Sequence, residues 1–107
     1  METKIGLHIE NSQTSFETNS IIGYLDSIII DADNKVEIII ESSLGYPIFK
    51  DASFIGTKIF LPRARISSPD AGMLDRLSFD KFLLNESLII TVIGPKNTQV
   101  EFIIRSV

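Results

Sequence analysis

Ser27-Ile28-Ile29-Ile30-Asp31-Ala32-Asp33-Asn34-Lys35-Val36-Glu37-Ile38-Ile39-Ile40-Glu41 is the stretch that decides the fold class. Two β-branched runs flank a short polar segment. Such side chains are stiff at χ1 and pack well on a pleated surface, so each run reads as a strand. Asp33 and Asn34 hydrogen-bond readily to nearby backbone and tolerate turn conformations. The expectation is a β-hairpin, with residues 27–31 paired to residues 36–41.

The C-terminal end repeats the pattern. Ser87-Leu88-Ile89-Ile90-Thr91-Val92-Ile93 and Val100-Glu101-Phe102-Ile103-Ile104-Arg105 flank Gly94-Pro95-Lys96-Asn97-Thr98-Gln99. Pro95 presets a turn φ and Asn97 accepts a left-handed conformation, so a second hairpin is expected. Val36–Ser42 and Val100–Ser106 even match in residue character position for position, although low-complexity strands of that length match by chance.

Outward from these two regions the apolar residues recur with period two or run continuously, and helical spacing is rare. Ile5, Leu7 and Ile9 alternate with Lys4, Gly6, His8 and Glu10, the mark of a half-buried strand. Residues 11–20 form a polar connector with a short edge strand expected around Phe16. Residues 21–25 are apolar, with a bulge expected at Gly23. Residues 46–49 and 57–61 read as two further strands, each preceded by a glycine turn at Gly45 or Gly56. Pro47 confines the first to a strand start or a sheet edge. Residues 62–86 form a long decorated crossover, in which Met73 and Leu77 at i, i+4 predict a short helix capped by Asp70. The sum is one all-β domain spanning residues 1–107. Seven or eight short strands are expected in a two-sheet antiparallel β-sandwich, immunoglobulin-like or jelly-roll-like.

Composition narrows the function classes. The 107 residues carry 19 isoleucines, no cysteine, no tryptophan and a net charge of −4. Codon bias in an AT-rich genome accounts for part of the isoleucine excess, but not for its placement in strands. Ten Lys and Arg residues are scattered among fourteen acids, which argues against nucleic-acid binding, since that affinity needs clustered cations. Disulfides and thiolate metal sites are excluded. No apolar run is long enough for a membrane helix, and the opening Met1-Glu2-Thr3-Lys4-Ile5-Gly6 lacks the form of a signal peptide. The expected setting is cytoplasmic or within an assembly, with no membrane partner.

A search for catalytic chemistry gives no constellation. His8 is the only histidine and sits on the polar face of its strand, a solvated position. No nucleophile elbow and no glycine-rich phosphate loop occurs. Asp31-Ala32-Asp33-Asn34 opens like a calcium loop, but Lys35, Val36 and Ser42 stand where an oxygen donor, a turn glycine and a closing Glu are needed. Asp70, Asp75 and Asp80 share the crossover, yet paired acid–base carboxylates need a cleft that shifts one pKa. Asn85-Glu86-Ser87 has the form of a glycosylation sequon and reads more simply as a turn. No enzyme activity, cofactor or metal is expected.

One positive feature is left. A sandwich strand should alternate inward apolar with outward polar residues, and the triple isoleucines do not. If Ile28, Ile30, Ile38 and Ile40 point inward, then Ile29 and Ile39 point out; outward apolar clusters mark partner surfaces, and the alternative expectation is that the 62–86 crossover folds over that face within the same chain. Arg63 and Arg65, on one side of the chain leaving a strand, offer guanidinium forks to carboxylates, either those of another copy or those of Asp70, Asp75 or Asp80 in the same loop. Ile29, Ile39, Arg63 and Arg65 are therefore the expected interaction residues. The expected partner is protein, copies of the same chain, in a homo-oligomer or a larger particle such as a virion, tail or appendage component. The competing expectation is a small ligand- or carbohydrate-binding accessory domain, which would have an aromatic-lined pocket.

Overall fold

A strand of 22 residues would run about 70 Å if straight, well beyond the 52 Å long axis of this chain. The protein contains such a strand, and it bends. The computed structural model describes residues 1–67, 77–80 and 82–107, without the side chains of residues 64–67 and 77–80. Among these residues nine strands follow one another: β1 (Glu2–His8), β2 (Gln13–Glu17), β3 (Ile21–Ser42), β4 (Pro47–Phe60), β5 (Ala64–Ser67), β6 (Leu77–Asp80), β7 (Leu83–Glu86), β8 (Leu88–Ile93) and β9 (Gln99–Ser106). The chain is all-β, with no helix among the described residues. The helical turns expected from Asp70 through Met73 lie outside the described residues, and Leu77 belongs to β6.

Pairing is antiparallel throughout. Seven strands form one sheet in the order β1-β9-β3-β8-β2, with β4 and β7 also joined to β3, while β5 and β6 make a separate two-stranded ladder. The large sheet curls until it is nearly closed into a barrel. Its logic is that of four long ribbons. β3 pairs along one edge with β4 over nearly its whole length. Along the other edge, Leu25–Ala32 pairs with β9 and Glu37–Ser42 with β8. β1 and β2 then line β9 and β8 in the same manner. Each ribbon bends at the same level.

Both hairpins read from the sequence are corrected here. Residues 27–31 and 36–41 are two halves of one strand, and β8 and β9 pair with β3 instead of with each other. The turn chemistry is real but bends the strand without reversing it. Asn34 Oδ1 accepts from the Lys35 amide at 2.8 Å, and Asp33 Oδ1 accepts from the Gln99 amide at 3.0 Å. Asp33 thus ties the bend of β3 to the matching bend between β8 and β9. Gly56 is corrected likewise, since its φ of +87° falls inside β4, where the register with β3 slips between Ala32 and Val36. Gly45, at φ +98°, does form the tight turn between β3 and β4.

Elsewhere the sequence pattern matches. β1 buries Ile5 and Leu7, and Ile9 lies buried just beyond it. β2 contains Phe16, and Pro47 begins β4. Asn97 takes a φ of +68°. The bulge expected at Gly23 falls slightly later, between Leu25 and Ser27, where the register with β9 shifts. That bulge exchanges the faces of β3, so Ile21 and Leu25 before it and Ile28 and Ile30 after it are all buried.

Inward rungs build the core. Ile5, Phe102 and Ile30 stand side by side across three strands, as do Leu7, Val100 and Ala32. In the other half Ile38 faces Val92 and Ile40 faces Ile90. Ile28, Ile30, Ile38 and Ile40 are 0% exposed, and each contributes on the order of 2 kcal/mol by leaving water. The rung of Leu7, Val100, Ala32 and Gly56 crosses the sheet next to the bend. Ala32 and Gly56, the small members of that rung, sit where β3 and β4 slip register at the bend.

Gly23 supplies the sharpest local test. Its φ is +119°, and an added Cβ would lie 2.6 Å from the Val107 carbonyl oxygen. Gly23→Ala is expected to destabilise the fold by about 2–3 kcal/mol, read by urea unfolding. Gly6, where an added Cβ would meet nothing within 4 Å, should accept Ala within about 0.5 kcal/mol. Equal losses at both positions would contradict the placement of the C-terminal strand against Gly23.

Candidate functional site

The alternation of β3 fixes what the sheet shows to solvent. With Ile28 and Ile30 inside, Ile29 points out, and its half-exposed side chain has Ile59 opposite on β4 and Ile103 opposite on β9. Ile59 is 65% exposed. The row continues to Lys4 on β1. Leu61, two residues beyond Ile59 and just past the end of β4, is exposed as well. An apolar row therefore crosses three adjacent strands on the outer face. On one side it is flanked by Asp31 and Glu101, which pair with each other in register. Arg105 lies on the other side, bonded to Glu2 at 3.2 Å.

Ile39 occupies a different setting. It too is half-buried and outward, but its cross-strand neighbours are Lys50 and Thr91, and Thr91 Oγ1 lies 3.3 Å from Ser15 Oγ. Ile29 and Ile39 stand on opposite sides of the bend, so the two expected interaction residues are not brought into one patch. Parity was legible in the sequence; the neighbours were not.

Arg63 is half-buried and its Nη1 donates to the carbonyl oxygens of Asp26 at 3.0 Å and Pro62 at 2.7 Å. Asp26 sits in the bulge between Leu25 and Ser27, where the ladder to β9 slips. The guanidinium supplies a donor for a carbonyl at this irregularity, a structural duty. The Arg65 backbone lies in β5 opposite Phe79, and its side chain lies outside the described residues, as do the carboxyl groups of Asp70, Asp75 and Asp80.

A second feature lies beside the turn between β3 and β4. An open groove of about 450 Å³ is lined by Tyr46, Pro47, Ile48, Phe49, Lys50, Arg63 and Phe82. Tyr46 and Phe82 stack at 6.2 Å between centroids with an interplanar angle of 11°. Phe49 meets Phe60 at 4.4 Å, and Phe60 meets Phe54 at 5.8 Å, so the aromatic floor continues into the core. The Tyr46 hydroxyl donates to Glu86 Oε1. Residues 46–50 of the β3–β4 turn and the start of β4 meet Arg63 and Phe82 from farther along the chain; of these, the sequence singled out Arg63, as a fork of donors, and not the aromatic residues.

The remaining polar candidates have ordinary duties. Asp31 Oδ1 accepts from Thr57 Oγ1 at 2.7 Å. His8 Nδ1 is 3.3 Å from Gln99 Oε1 on the exposed face. Asn85 is a strand residue of β7, not a turn. Among the described residues no group of three or more His, Cys, Asp or Glu is placed to hold a metal ion, and no helix is long and apolar enough to cross a membrane.

The hydrogen bond to Glu86, then burial, raises the Tyr46 phenol above its ordinary value of 10.0. A raised phenol pKa favours the protonated form in the folded state. Its contribution to stability is complete below pH 10 and is lost as pH rises through the folded-state pKa. The ultraviolet phenolate difference between the wild type and Tyr46→Phe is expected to titrate with a midpoint above 10; a midpoint at or below 10 would remove the Glu86 contact from the folded state in solution.

No family model matches the chain, and neither the curated proteins nor the solved structures contain a significant match.

Proposed function

We propose that this protein is a non-enzymatic structural and interaction domain that associates with copies of itself through the outer face centred on Ile29. The supporting observation is the in-register row of Ile59, Ile29 and Ile103, apolar and solvent-facing on three adjacent strands. Removing that row from water favours association, and such rows on a soluble surface mark contact sites. In this reading the two halves of the bent sheet act as the layers of a sandwich, immunoglobulin-like or jelly-roll-like in use. The face formed by β1, β9, the first half of β3 and the end of β4 is the one presented.

The flanks support a two-fold contact. An axis along the isoleucine row lays the Asp31 and Glu101 side of one copy over the Arg105 side of the other, where Arg105, bonded to Glu2 of its own copy, is the cation they meet. A standard interface takes about 800 Å² from each partner, roughly an eighth of the 6541 Å² that this chain exposes. Repetition of such a contact in a larger particle, as in a virion, tail or appendage, follows the same chemistry. Ile39 and Arg65 stand as secondary contacts in this reading.

Light scattering across a concentration series tests the proposal. The wild type should show a mass that rises above 11.9 kDa toward a fixed multiple. Ile59→Lys, at an already exposed position, should weaken association at least about tenfold while the dilute chain keeps its melting temperature. A mass of 11.9 kDa at all concentrations, or an unchanged assembly in Ile59→Lys, would overturn it.

A further inference from the structure

The groove beside Tyr46 has the size and chemistry of a small-molecule site. Its volume of about 450 Å³ lies within the usual range of such sites, roughly 300–1,000 Å³. Its walls among the described residues are the rings of Tyr46, Phe49 and Phe82 with Pro47 and Ile48, and the charged residues that line it are Lys50 and Arg63. Among the described residues no acid lines it, although the chain as a whole carries a net charge of −4. That local reversal of sign selects the charge of an occupant.

The lining is also held in advance. Tyr46 is fixed by its bond to Glu86 and its stack with Phe82, Phe49 by Phe60, and Arg63 by the carbonyls of Asp26 and Pro62. A ligand entering a preformed site loses less binding energy to ordering it. Lys50 differs from the rest. It stands in register with outward Ile39 and borders the groove at its rim; its side chain is exposed and makes no ion pair among the described residues, so its ammonium is available to a ligand from that rim. Glu86, which approaches the aromatic wall, is occupied by the Tyr46 hydroxyl.

The geometry points to a binding site for a small organic monoanion with a flat apolar body, an aryl carboxylate in chemical class, with its ring between Tyr46, Phe49 and Phe82 and its carboxylate at Lys50 and Arg63. A cationic ligand would meet two like charges there. A sugar would meet mostly apolar walls, with few groups to satisfy its hydroxyls. A neutral aromatic would fit the walls but leave both cations unused. This site contains none of Ile29, Ile59 and Ile103 of the primary contact row, so ligand binding is read separately from association through that row.

Titration of the uniformly ¹⁵N-labelled protein with 2-naphthoate, followed by amide correlation spectra, tests the assignment. The expected result is saturable shifts concentrated at Tyr46, Phe49, Lys50 and Phe82 in the millimolar range or tighter. 2-Naphthylmethanol and 2-naphthylmethylamine, with the same ring and no negative charge, should bind at least about fivefold more weakly, the worth of one partly exposed charge pair. Lys50→Gln, which removes only an exposed charge, should weaken naphthoate by about the same factor and leave the alcohol unaffected. Absence of saturable shifts would overturn the site, as would shifts centred elsewhere on the chain. Equal binding of all three compounds, or an unaltered naphthoate affinity in Lys50→Gln, would overturn the choice of an anion.

Discussion

Everything in this fold depends on keeping β3 continuous through a bend. An antiparallel ladder satisfies the backbone groups of a strand only while its neighbours stay in step, so when β3 turns at Asp33–Lys35 each partner must turn at the same level. The partners do so by breaking. β8 and β9 are separated by residues 94–98, and β1 and β2 by residues 9–12, while β4 slips register around Gly56. Backbone bonds bridge the breaks, from Ile9 to Thr98, from Asn97 to Ile9 and from Gly94 to Ser12. Gly94 fits because nothing larger would. A Cβ there would lie 2.7 Å from Val36 Cγ1 and 3.3 Å from the Lys35 carbonyl oxygen.

The bend also determines the surfaces. It turns Ile28 and Ile30 of one half of β3 and Ile38 and Ile40 of the other toward a common interior and leaves Ile29 and Ile39 outside on separate halves. The apolar row around Ile29 is thus a by-product of a strand that is isoleucine on both faces, which a sheet wet on one side does not need. The groove beside Tyr46 forms where the β3–β4 turn and the start of β4 meet Arg63 and Phe82. Edge protection is visible nearby. Lys58 on β4 stands opposite the buried Ile30 and reaches over the Phe54 ring at 5.9 Å, and an inward charge of this kind discourages further strand pairing.

Strand content and side-chain parity were legible in the sequence because both are local. The direction of the chain after Asp33-Asn34 was not. Asx chemistry satisfies backbone groups equally well in a reversal and in a bulge, and only the distant Gln99 amide shows which one forms. Thr57–Leu61 failed as a separate strand for the same reason, since a left-handed Gly56 serves a turn and a bulge alike. Of the interaction residues, Ile29 could be found from period two, but its apolar neighbours Ile59 and Ile103 required the register. Arg63 was visible as a fork of donors. Its engagement with the Asp26 carbonyl depends on a bulge with no sequence mark of its own. Tyr46, Phe82 and Glu86 meet across separations too long for any spacing rule.

The continuous β3 is tested most directly by cross-strand nuclear Overhauser effects between backbone protons. The bent strand predicts contacts from Ile30 to Phe102 and from Ile38 to Val92, with none between residues 27–31 and 36–41. A ladder of contacts joining residues 27–31 to residues 36–41 would restore the hairpin and contradict the fold on which both surfaces rest.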